Sequence, residues 1–492
     1  MQLRLLVIIC LLGTSVFAQA PKPLLYRQEL KGLASTAGEL PFWFRANQYG
    51  VVPRAEMLYS LRSAWQIDYR KPPKTRGDSL WARLQKIDWG WGLEAVANYG
   101  PTTRQVLLPE AYVKARYGAF EAYAGRRREV FGLGPDSALS SGSYSWSGNA
   151  LPMIKVQIAI PQFWPANGRL AIRGTFAQGW FDNGFVQNSL LHQKSVYVRW
   201  GRPGAVLKLY GGFNHQAQWA GRTKRLTNEF IKGDQFPSSW QDYWYTIAGT
   251  SLNTVRGIDT TRYSTFDRGN RVGNHLGTID LGAEVRLGPV SVMLYRQSIY
   301  EDGSLFYLIN IDDGLHGLRL QNRKPSTGGF RLNTLVLEFL NTYSQGGNAF
   351  VDGDPKRRGR DDYFNHGQYR DGWSYRGRSL GTPFIAPATD LDPELPSYLF
   401  TNNNRVRVYH AGLSGQVADA VRFSFKASYS QNAGTYQVPF LGEPTQQSGI
   451  ATVSVRLRPA GVWLNTAIAA DRGGLYGRNT GFSVSLVKSG EL

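Results

Sequence analysis

The sequence predicts an all-β fold: a transmembrane, antiparallel β-barrel. Two observations support this prediction. Apolar and polar residues alternate in many segments of about ten residues, and tyrosine or tryptophan often stands at the ends of these segments. In a membrane barrel one side of each strand faces lipid, the other faces the lumen, and aromatic residues collect at both interfaces. The strands of a soluble β-sandwich would show the same alternation. The large number of segments and their length of about ten residues favour the barrel.

The start of the chain is typical of an export signal. Arg4 supplies the positive charge, residues 5–12 form an apolar core, and small residues fit cleavage after Ala18 or Ala20. The apolar run is too short for a transmembrane helix. We therefore expect a signal peptide over residues 1–20 and a single barrel domain over residues 21–492.

Composition limits the possible partners. The 492 residues include 56 Lys plus Arg against 36 Asp plus Glu, a formal charge of +20. A basic exported protein can meet acidic polysaccharide, lipid phosphates or nucleic acid, and export makes nucleic acid the weakest of these three candidates. Cys10 is the single cysteine and lies in the signal, so the mature chain has no disulfide and no thiolate metal site.

Alternation is clear near the C-terminus, where "VRFSFKASY" (421–429) places apolar residues at odd positions and polar residues at even positions. The residues expected at the aromatic interfaces are Tyr99, Tyr117, Trp180, Trp200, Tyr295, Tyr300 and Tyr343. The predicted strands cover 93–99, 111–117, 169–176, 195–200, 206–213, 281–287, 290–300, 332–343, 406–416, 421–430, 450–457, 462–469 and 480–487.

The connections between these strands fall into two classes. Some are short turns, such as 201–204 and 287–289, and others are long loops near 214–278, 301–330 and 344–404. Barrels of the outer membrane have short turns on one side and long loops on the other. Within the first long loop, residues 226–231 and 239–248 could each form a short helix.

Motifs for catalysis or metal binding are missing from the sequence. The six histidines have no metal-ligand spacing, and there is no nucleophile elbow or phosphate-binding glycine loop. Asp352, Asp354, Asp361 and Asp362 are the best candidates for paired catalytic carboxylates, but solvated loop residues are the simpler interpretation. We expect no catalytic residue, no metal and no cofactor.

Two basic regions are better candidates for binding. Arg126 and Arg128 belong to a run of three arginines that follows a predicted strand. Arginine donates hydrogen bonds in pairs to carboxylates and phosphates. An acidic glycan would fit these residues, although lipopolysaccharide phosphates or a charged lumen would fit them equally. The candidates in the third long loop are Arg357, Arg358, Arg360, Trp373, Tyr375 and Arg376.

Five segments together resemble the capsule assembly protein Wzi family. They are "GRRREVFGLG" (125–134), "LSSGS" (139–143), "WSGNALP" (146–152), "ASTAGELPFWFRANQYG" (34–50) and "LPEAYVKARYG" (108–118). The resemblance implies an outer-membrane barrel of about eighteen strands in a Gram-negative bacterium. It also implies short helices that block the periplasmic end, a monomer, and a lectin-like role without enzymatic activity.

The resemblance singles out the motif at 146–152, with Trp146 and Asn149 as candidate glycan contacts. The alternative is that this motif is a connector that packs inside the lumen, with 126–129 as its electrostatic support. The resulting hypothesis is a barrel that binds capsular or other surface polysaccharide, probed best by capsule retention. A porin or transport channel and an outer-membrane enzyme are the alternatives.

Overall fold

The computed structural model describes residues 22–70, 87–134, 136, 138–301, 303–324, 328–351, 354–458 and 460–492. The predicted signal peptide therefore lies outside the described residues. No helix within these ranges is both long and apolar enough to cross a membrane.

Eighteen strands form one closed antiparallel barrel, as predicted. Each strand pairs with its neighbours along the chain, and the first strand closes the barrel against the last, from Leu25 opposite Glu491 to Ser35 opposite Gly481. Closure leaves no unpaired edge in the membrane. The barrel strands are β1 (Leu25–Ser35), β2 (Met57–Ile67), β3 (Asp88–Tyr99), β4 (Arg104–Tyr117), β5 (Phe120–Arg126), β6 (Ile154–Pro165), β7 (Leu170–Trp180), β8 (Leu190–Trp200), β9 (Leu207–Trp219), β10 (Asn274–Leu287), β11 (Val290–Glu301), β12 (Gly314–Asn322), β13 (Phe330–Asn341), β16 (Val406–Val417), β17 (Val421–Asn432), β18 (Thr445–Leu457), β19 (Val462–Gly473) and β20 (Gly477–Glu491).

The alternation of the sequence becomes the two faces of the barrel wall. On β6, Ile154, Val156 and Ile158 are exposed on the outside, while Lys155 and Gln157 are buried on the inside. Successive side chains of a strand point to opposite faces, so a polar lumen and an apolar exterior require this pattern.

The two ends of the barrel differ in their connections. One end, the turn end, has turns such as 118–119 and 288–289, and both β1 and β20 meet there at the chain termini. The other end, the loop end, has the long connections 36–56, 127–153, 220–273 and 342–405. In barrels of the outer membrane the short turns are periplasmic and the long loops are external.

The prediction of one long loop near 301–330 is wrong, because a strand of the barrel wall, β12, lies within this range. Its sequence hides the alternation: Leu315 faces inward and is fully buried, while His316 faces outward. The predicted loop near 214–278 is also too long at both ends, since β9 continues to Trp219 and β10 begins at Asn274. The third long loop corresponds to the connection 342–405 and contains a ribbon of β14 (Ser374–Tyr375) and β15 (Arg378–Ser379).

The short helices of the described residues belong to loop-end connections. They are α1 (Phe42–Arg45), α2 (Trp240–Ala248) and α3 (Thr265–Gly269), with 3-10 turns at Leu252–Thr254, Ser304–Tyr307, Pro355–Arg357 and Ala388–Asp390. A capping box of Ser239 and Asp242 begins α2, and this confirms the predicted helix at 239–248. Residues 226–231 form no helix. Helices at the periplasmic end stay a prediction, because 71–86 of the turn-end connection 68–87 lie outside the described residues.

The expected aromatic interface residues are only partly on the outside. Tyr99, Tyr117, Trp180 and Trp200 are exposed at strand ends. The prediction is wrong for Tyr295, which faces the lumen, where its ring packs over Gly317. Tyr300 has an outward position at the end of β11, but it is buried: its ring stacks on that of Phe213 at 5.9 Å, and its hydroxyl donates to the Asn214 carbonyl at 2.9 Å.

Candidate functional site

The lumen is filled by a plug that three loop-end segments form together, residues 36–56, 131–153 and 363–385. Their side chains share one buried apolar cluster with each other and with the inner wall. A core in the lumen holds the loops in one arrangement relative to the barrel. Plug members of this cluster are Phe42, Trp43, Ala46, Phe131, Leu133, Tyr144, Trp146, Ala150, Leu151, Met153, Tyr363, Phe364, Trp373, Tyr375, Leu380, Phe384 and Ile385.

Hydrogen bonds attach the segment 131–153 to the inner wall. Ser140 Oγ and Ser141 N donate to the Glu338 carboxylate of β13 at 2.7 and 2.6 Å. His410 Nε2 of β16 donates to the Leu139 carbonyl at 2.7 Å. These contacts satisfy buried polar groups of an irregular segment, which would otherwise be costly to enclose.

Trp146 lies at the centre of the plug. Its ring packs edge-to-face against Phe131 and Trp373 at 6.0 and 6.3 Å. The Lys155 ammonium lies 5.1 Å from the ring centroid. Trp373 Nε1 donates to the Ser145 carbonyl at 2.8 Å, and the Trp373 side chain is fully buried. Of the two interpretations of the motif at 146–152, this packing agrees with a connector inside the lumen.

Asn149 joins the three plug segments. Its Oδ1 accepts from Asn47 N at 3.1 Å, and its Nδ2 donates to the Ser379 carbonyl at 3.2 Å. Arg126 Nη2 donates to the buried Tyr375 hydroxyl at 3.2 Å. Trp146, Asn149, Trp373 and Tyr375 are therefore packing residues in this structure rather than an exposed surface for a polymer.

Two members of the arginine run next to the plug, Arg127 and Arg128, are paired with carboxylates. Arg127 Nη1 lies 2.6 Å from Glu121, and Arg128 Nη2 lies 2.5 Å from Glu94. Glu129 accepts from Lys155 Nζ at 2.6 Å and from Arg127 at 3.2 Å. Burial raises the pKa of Glu129, but these cations outweigh it and hold that pKa below its usual range. The network lies beside the motif, since the Lys155 ammonium that pairs with Glu129 also stands over the Trp146 ring, and electrostatic support of the motif stays a prediction.

A second basic group lies at the loop-end rim, which we call the rim cluster: Tyr343, Arg360, Arg405, Arg407 and Tyr436. The Arg405 guanidinium lies 4.5 Å from the Tyr343 ring centroid and 3.9 Å from that of Tyr436. Arg407 lies 4.0 Å from Tyr343, and Arg360 lies 5.8 Å from Tyr436. Aromatic faces attract guanidinium groups and fix their orientation at low entropic cost.

The arginines of the rim cluster differ from the arginine run in their contacts. In the described part of the chain, Arg360, Arg405 and Arg407 form no ion pair with a carboxylate, and Arg405 Nε donates to the Tyr343 carbonyl at 3.1 Å. The Glu443 carboxylate accepts a hydrogen bond from the Tyr343 hydroxyl. The guanidinium groups are thus positioned and remain able to donate to a ligand.

Three predicted arginines of the third loop, Arg357, Arg358 and Arg360, lie on a pair of backbone segments joined by hydrogen bonds, and Arg360 belongs to the rim cluster. Val351 N donates to the Arg357 carbonyl at 2.9 Å, and Arg360 N donates to the Gly347 carbonyl at 3.0 Å. Arg357 and Arg360 are exposed, whereas Arg358 is half-buried near Phe350. Arg376 lies elsewhere, where its Nη2 and Nε donate to a single oxygen of Asp182, Oδ2, at 2.6 and 2.9 Å.

The sequence prediction missed Arg405, Arg407 and Tyr436. They lie 60 or more residues from Tyr343 along the chain, and they meet only because β13, β16 and β17 are neighbours in the barrel. The closest signal in the sequence is the spacing of Arg405 and Arg407, which places both on one face of a strand end.

The acidic candidates have structural contacts. Asp354 accepts from Lys356 N at 3.0 Å, and Asp362 accepts from Asn404 Nδ2 at 2.7 Å. Asp352 lies outside the described residues. In the ranges that the structure covers, no group of three or more His, Cys, Asp or Glu could hold a metal ion.

Comparison with known proteins agrees with this architecture. The family model described as capsule assembly protein Wzi matches residues 68–468. The structure of Wzi from Escherichia coli, described as an outer membrane protein involved in group 1 capsule assembly and a carbohydrate-binding β-barrel, aligns with a TM-score of 0.56. The two sequences are 16% identical, and the alignment covers 94% of this chain and 84% of Wzi.

Other barrels align less well. OprD from Pseudomonas aeruginosa gives a TM-score of 0.45 at 8% identity, over 96% of this chain and 94% of OprD. OccAB4 from Acinetobacter baumannii gives 0.45 at 9% identity, over 96% of this chain and 99% of OccAB4. No match was found among curated protein sequences.

Proposed function

The chain belongs to the capsule assembly protein Wzi family, and we propose that it binds surface polysaccharide, in the first place capsular polysaccharide, and holds it at the cell surface. The binding takes place at the loop end of the barrel, outside the outer membrane. The protein acts as a monomer and catalyses no reaction on the polymer. The Wzi of Escherichia coli is described as carbohydrate-binding, which supports a polysaccharide partner here.

The rim cluster is the observation on which this proposal rests. Two tyrosine rings hold the Arg405 guanidinium between them, and Arg407 and Arg360 stand beside it. Guanidinium groups that are already oriented lose little entropy when they bind carboxylates. We therefore propose an acidic polysaccharide, whose carboxylates accept hydrogen bonds from these arginines. Arg357, three residues before Arg360 in the chain, is exposed as well and adds positive charge to the same loop.

The four buried candidates have a different part in this proposal. Trp146, Asn149, Trp373 and Tyr375 hold the plug in place, and the plug supports the connection 342–405 from which Tyr343 and Arg360 project. Their effect on binding is indirect. Arg126 and Arg128 contribute to the same support through Tyr375 and Glu94.

Substitution of the rim arginines tests the proposal. The double variant Arg405→Gln/Arg407→Gln removes two positive charges from the cluster. Charge-assisted hydrogen bonds contribute about 1.5–3 kcal/mol each, so we expect the affinity of the purified protein for the acidic capsular polymer of its own host to fall by about tenfold or more. The variant Arg458→Gln is the matched control, since it removes an exposed arginine at the turn end.

Capsule retention in cells gives a second measurement. We expect the double variant to produce polymer but to release it into the medium, whereas Arg458→Gln cells keep their capsule. Binding that weakens with added salt would agree with an ionic contact. Unchanged affinity and retention in the double variant would contradict the assignment of the rim cluster.

A further inference from the structure

The outer wall of the barrel has a polar patch at the loop end of β7, β8 and β9. It consists of Gln178, His192, Lys194 and His215, which occupy outward positions. They are direct neighbours in the sheet, with Gln178 opposite His192 and Lys194 opposite His215. Polar groups facing lipid are costly, so a bare patch at this place would weaken the barrel in its membrane.

The lipid-facing surface begins directly next to this patch. Phe176, Val196 and Phe213 lie two residues further along the same faces of β7, β8 and β9, and all three are exposed. On β8 the exposed apolar run is therefore confined to residues 196–200. That length is shorter than the apolar band of about 25 Å that membrane barrels present to lipid.

The helix α2 covers the polar patch. Gln178 Nε2 donates to the Tyr243 hydroxyl, and Lys194 Nζ donates to the Ile247 carbonyl. The Tyr243 ring lies 5.9 Å from that of His192. The inner face of α2 thus gives partners to outward-pointing polar groups of the wall.

The opposite face of α2 presents two tryptophans to the surroundings. Trp240 and Trp244 are separated by one helical turn, and their side chains are 77% and 63% exposed. Tryptophan combines a large apolar ring with a polar N–H, and it is enriched where lipid meets water.

A second segment repeats the arrangement on the neighbouring strands. Arg296 has an outward position on β11, and its guanidinium donates to the Ile311 carbonyl. The covering segment, 304–311, exposes Phe306 to 84% and Leu308 to 60%. Two connections therefore fold against the outside of the wall, cover charged or polar side chains, and expose aromatic or aliphatic side chains.

We propose that α2 and the segment 304–311 are membrane-contact elements, whose exposed side chains sit in the lipid interface of the outer leaflet. The occupant of this surface is lipid, because the surface continues the apolar wall that starts at Val196. The elements complete the apolar band above strands that carry polar outward residues, and they set the height of the loop end relative to the membrane. This inference is independent of polysaccharide binding at the rim cluster.

Site-specific labelling tests the proposal. Cys10 is the single cysteine of the chain, so in a Cys10→Ser background each introduced cysteine takes an environment-sensitive fluorophore alone. Labels at Trp244→Cys, Val196→Cys and Gln437→Cys are compared in phosphatidylcholine vesicles. The Val196 site is the lipid control on the wall, and the exposed Gln437 site is the aqueous control at the loop end. Quenchers are nitroxide-labelled phosphatidylcholine and iodide.

The expected result is loss of fluorescence at the Trp244 site with the nitroxide lipid, approaching the loss at the Val196 site, and protection from iodide relative to the Gln437 site. Quenching by iodide alone would overturn the proposal, since α2 would then lie in water. Protection from both quenchers would also overturn it, because protein would then cover this face.

Discussion

Glu129 and Lys155 illustrate how single residues hold the plug against the wall. Lys155 is almost completely buried, and Glu129 is its countercharge at 2.6 Å. Removal of one partner leaves an uncompensated buried charge, at a cost of about 3–5 kcal/mol. We expect Glu129→Gln to lower the free energy of unfolding by this amount, as measured by urea unfolding of the purified barrel in detergent.

The double variant Glu129→Gln/Lys155→Gln is the control for this prediction. It removes both charges, so it should unfold at a higher urea concentration than Glu129→Gln alone. Equal stability of the wild type and Glu129→Gln would contradict the importance of the ion pair.

Asp313 provides a pH-dependent contact at the loop end. Burial raises its pKa from 3.8 to about 6, although Gln345 N, Ser344 N and the Tyr363 hydroxyl donate to it. Because the folded-state pKa is raised, the stabilising effect of the protonated form is complete below pH 3.8 and is lost as pH rises through about 6.

Asp313→Asn cannot titrate and therefore isolates this contribution. We expect the difference in free energy of unfolding, wild type minus variant, to decrease by up to about 3 kcal/mol between pH 4 and pH 7. Urea unfolding at several pH values measures it. A difference that stays constant or increases with pH would contradict the raised pKa.

The residue types in the loops predicted that the site is basic, but they did not predict which residues form it. The arginine and aromatic content of the loops indicated a basic surface, and Arg357 and Arg360 are exposed on it. Trp146 and Trp373 could equally have been surface or core residues, since a ring gives no sign in sequence of what packs on it. The pairing of β13 with β16 decides that Arg405 and Arg407 meet Tyr343, and no local pattern encodes it.

At the level of elements, a strand could be predicted where its outer face is exposed to lipid along its whole length. A strand end whose outer face is covered by another segment could not. Residues 421–430 alternate regularly, and β17 is found there. In contrast, β9 is buried on both faces from Asn214 to Trp219, and its end was taken for loop. At such positions a covering segment replaces lipid on the outer face and the plug packs on the inner face, so the period of two disappears from the sequence.

The contact of the plug with β16 depends on a glycine in that strand. A Cβ atom at Gly412 would lie 2.3 Å from the Leu139 carbonyl oxygen, which is backbone and cannot turn away. We expect Gly412→Ala to displace the segment 138–142 from the wall and to expose it to protease, measured by limited proteolysis of the folded barrel.

Gly211→Ala in β9 is the matched control, since a Cβ atom there meets nothing within 4 Å. Its digestion should equal that of the wild type. Equal digestion of Gly412→Ala would mean that the plug segment adjusts without leaving the wall.

On the scale of the whole molecule, the barrel holds the plug, and the plug supports the loop connection that carries part of the rim cluster. A closed wall allows eighteen strands to exist in lipid without free edges. The plug gives that wall an apolar core and presents the connection 342–405 at the rim. The arrangement suits a protein that holds a ligand outside the membrane better than one that lets a solute pass.

Conductance in planar bilayers separates these two functions. An unplugged barrel of this size has room for an aqueous channel, but here the segments 131–153 and 363–385 occupy the lumen. We expect the wild type to conduct little at any voltage that the bilayer tolerates. A variant with 364–384 replaced by a short glycine-serine linker should conduct more than the wild type, because one of the plug segments is gone, provided that its circular dichroism still shows a folded barrel. Large, stable wild-type currents would instead favour the channel, because they would require the plug to open a path while the strands stay paired.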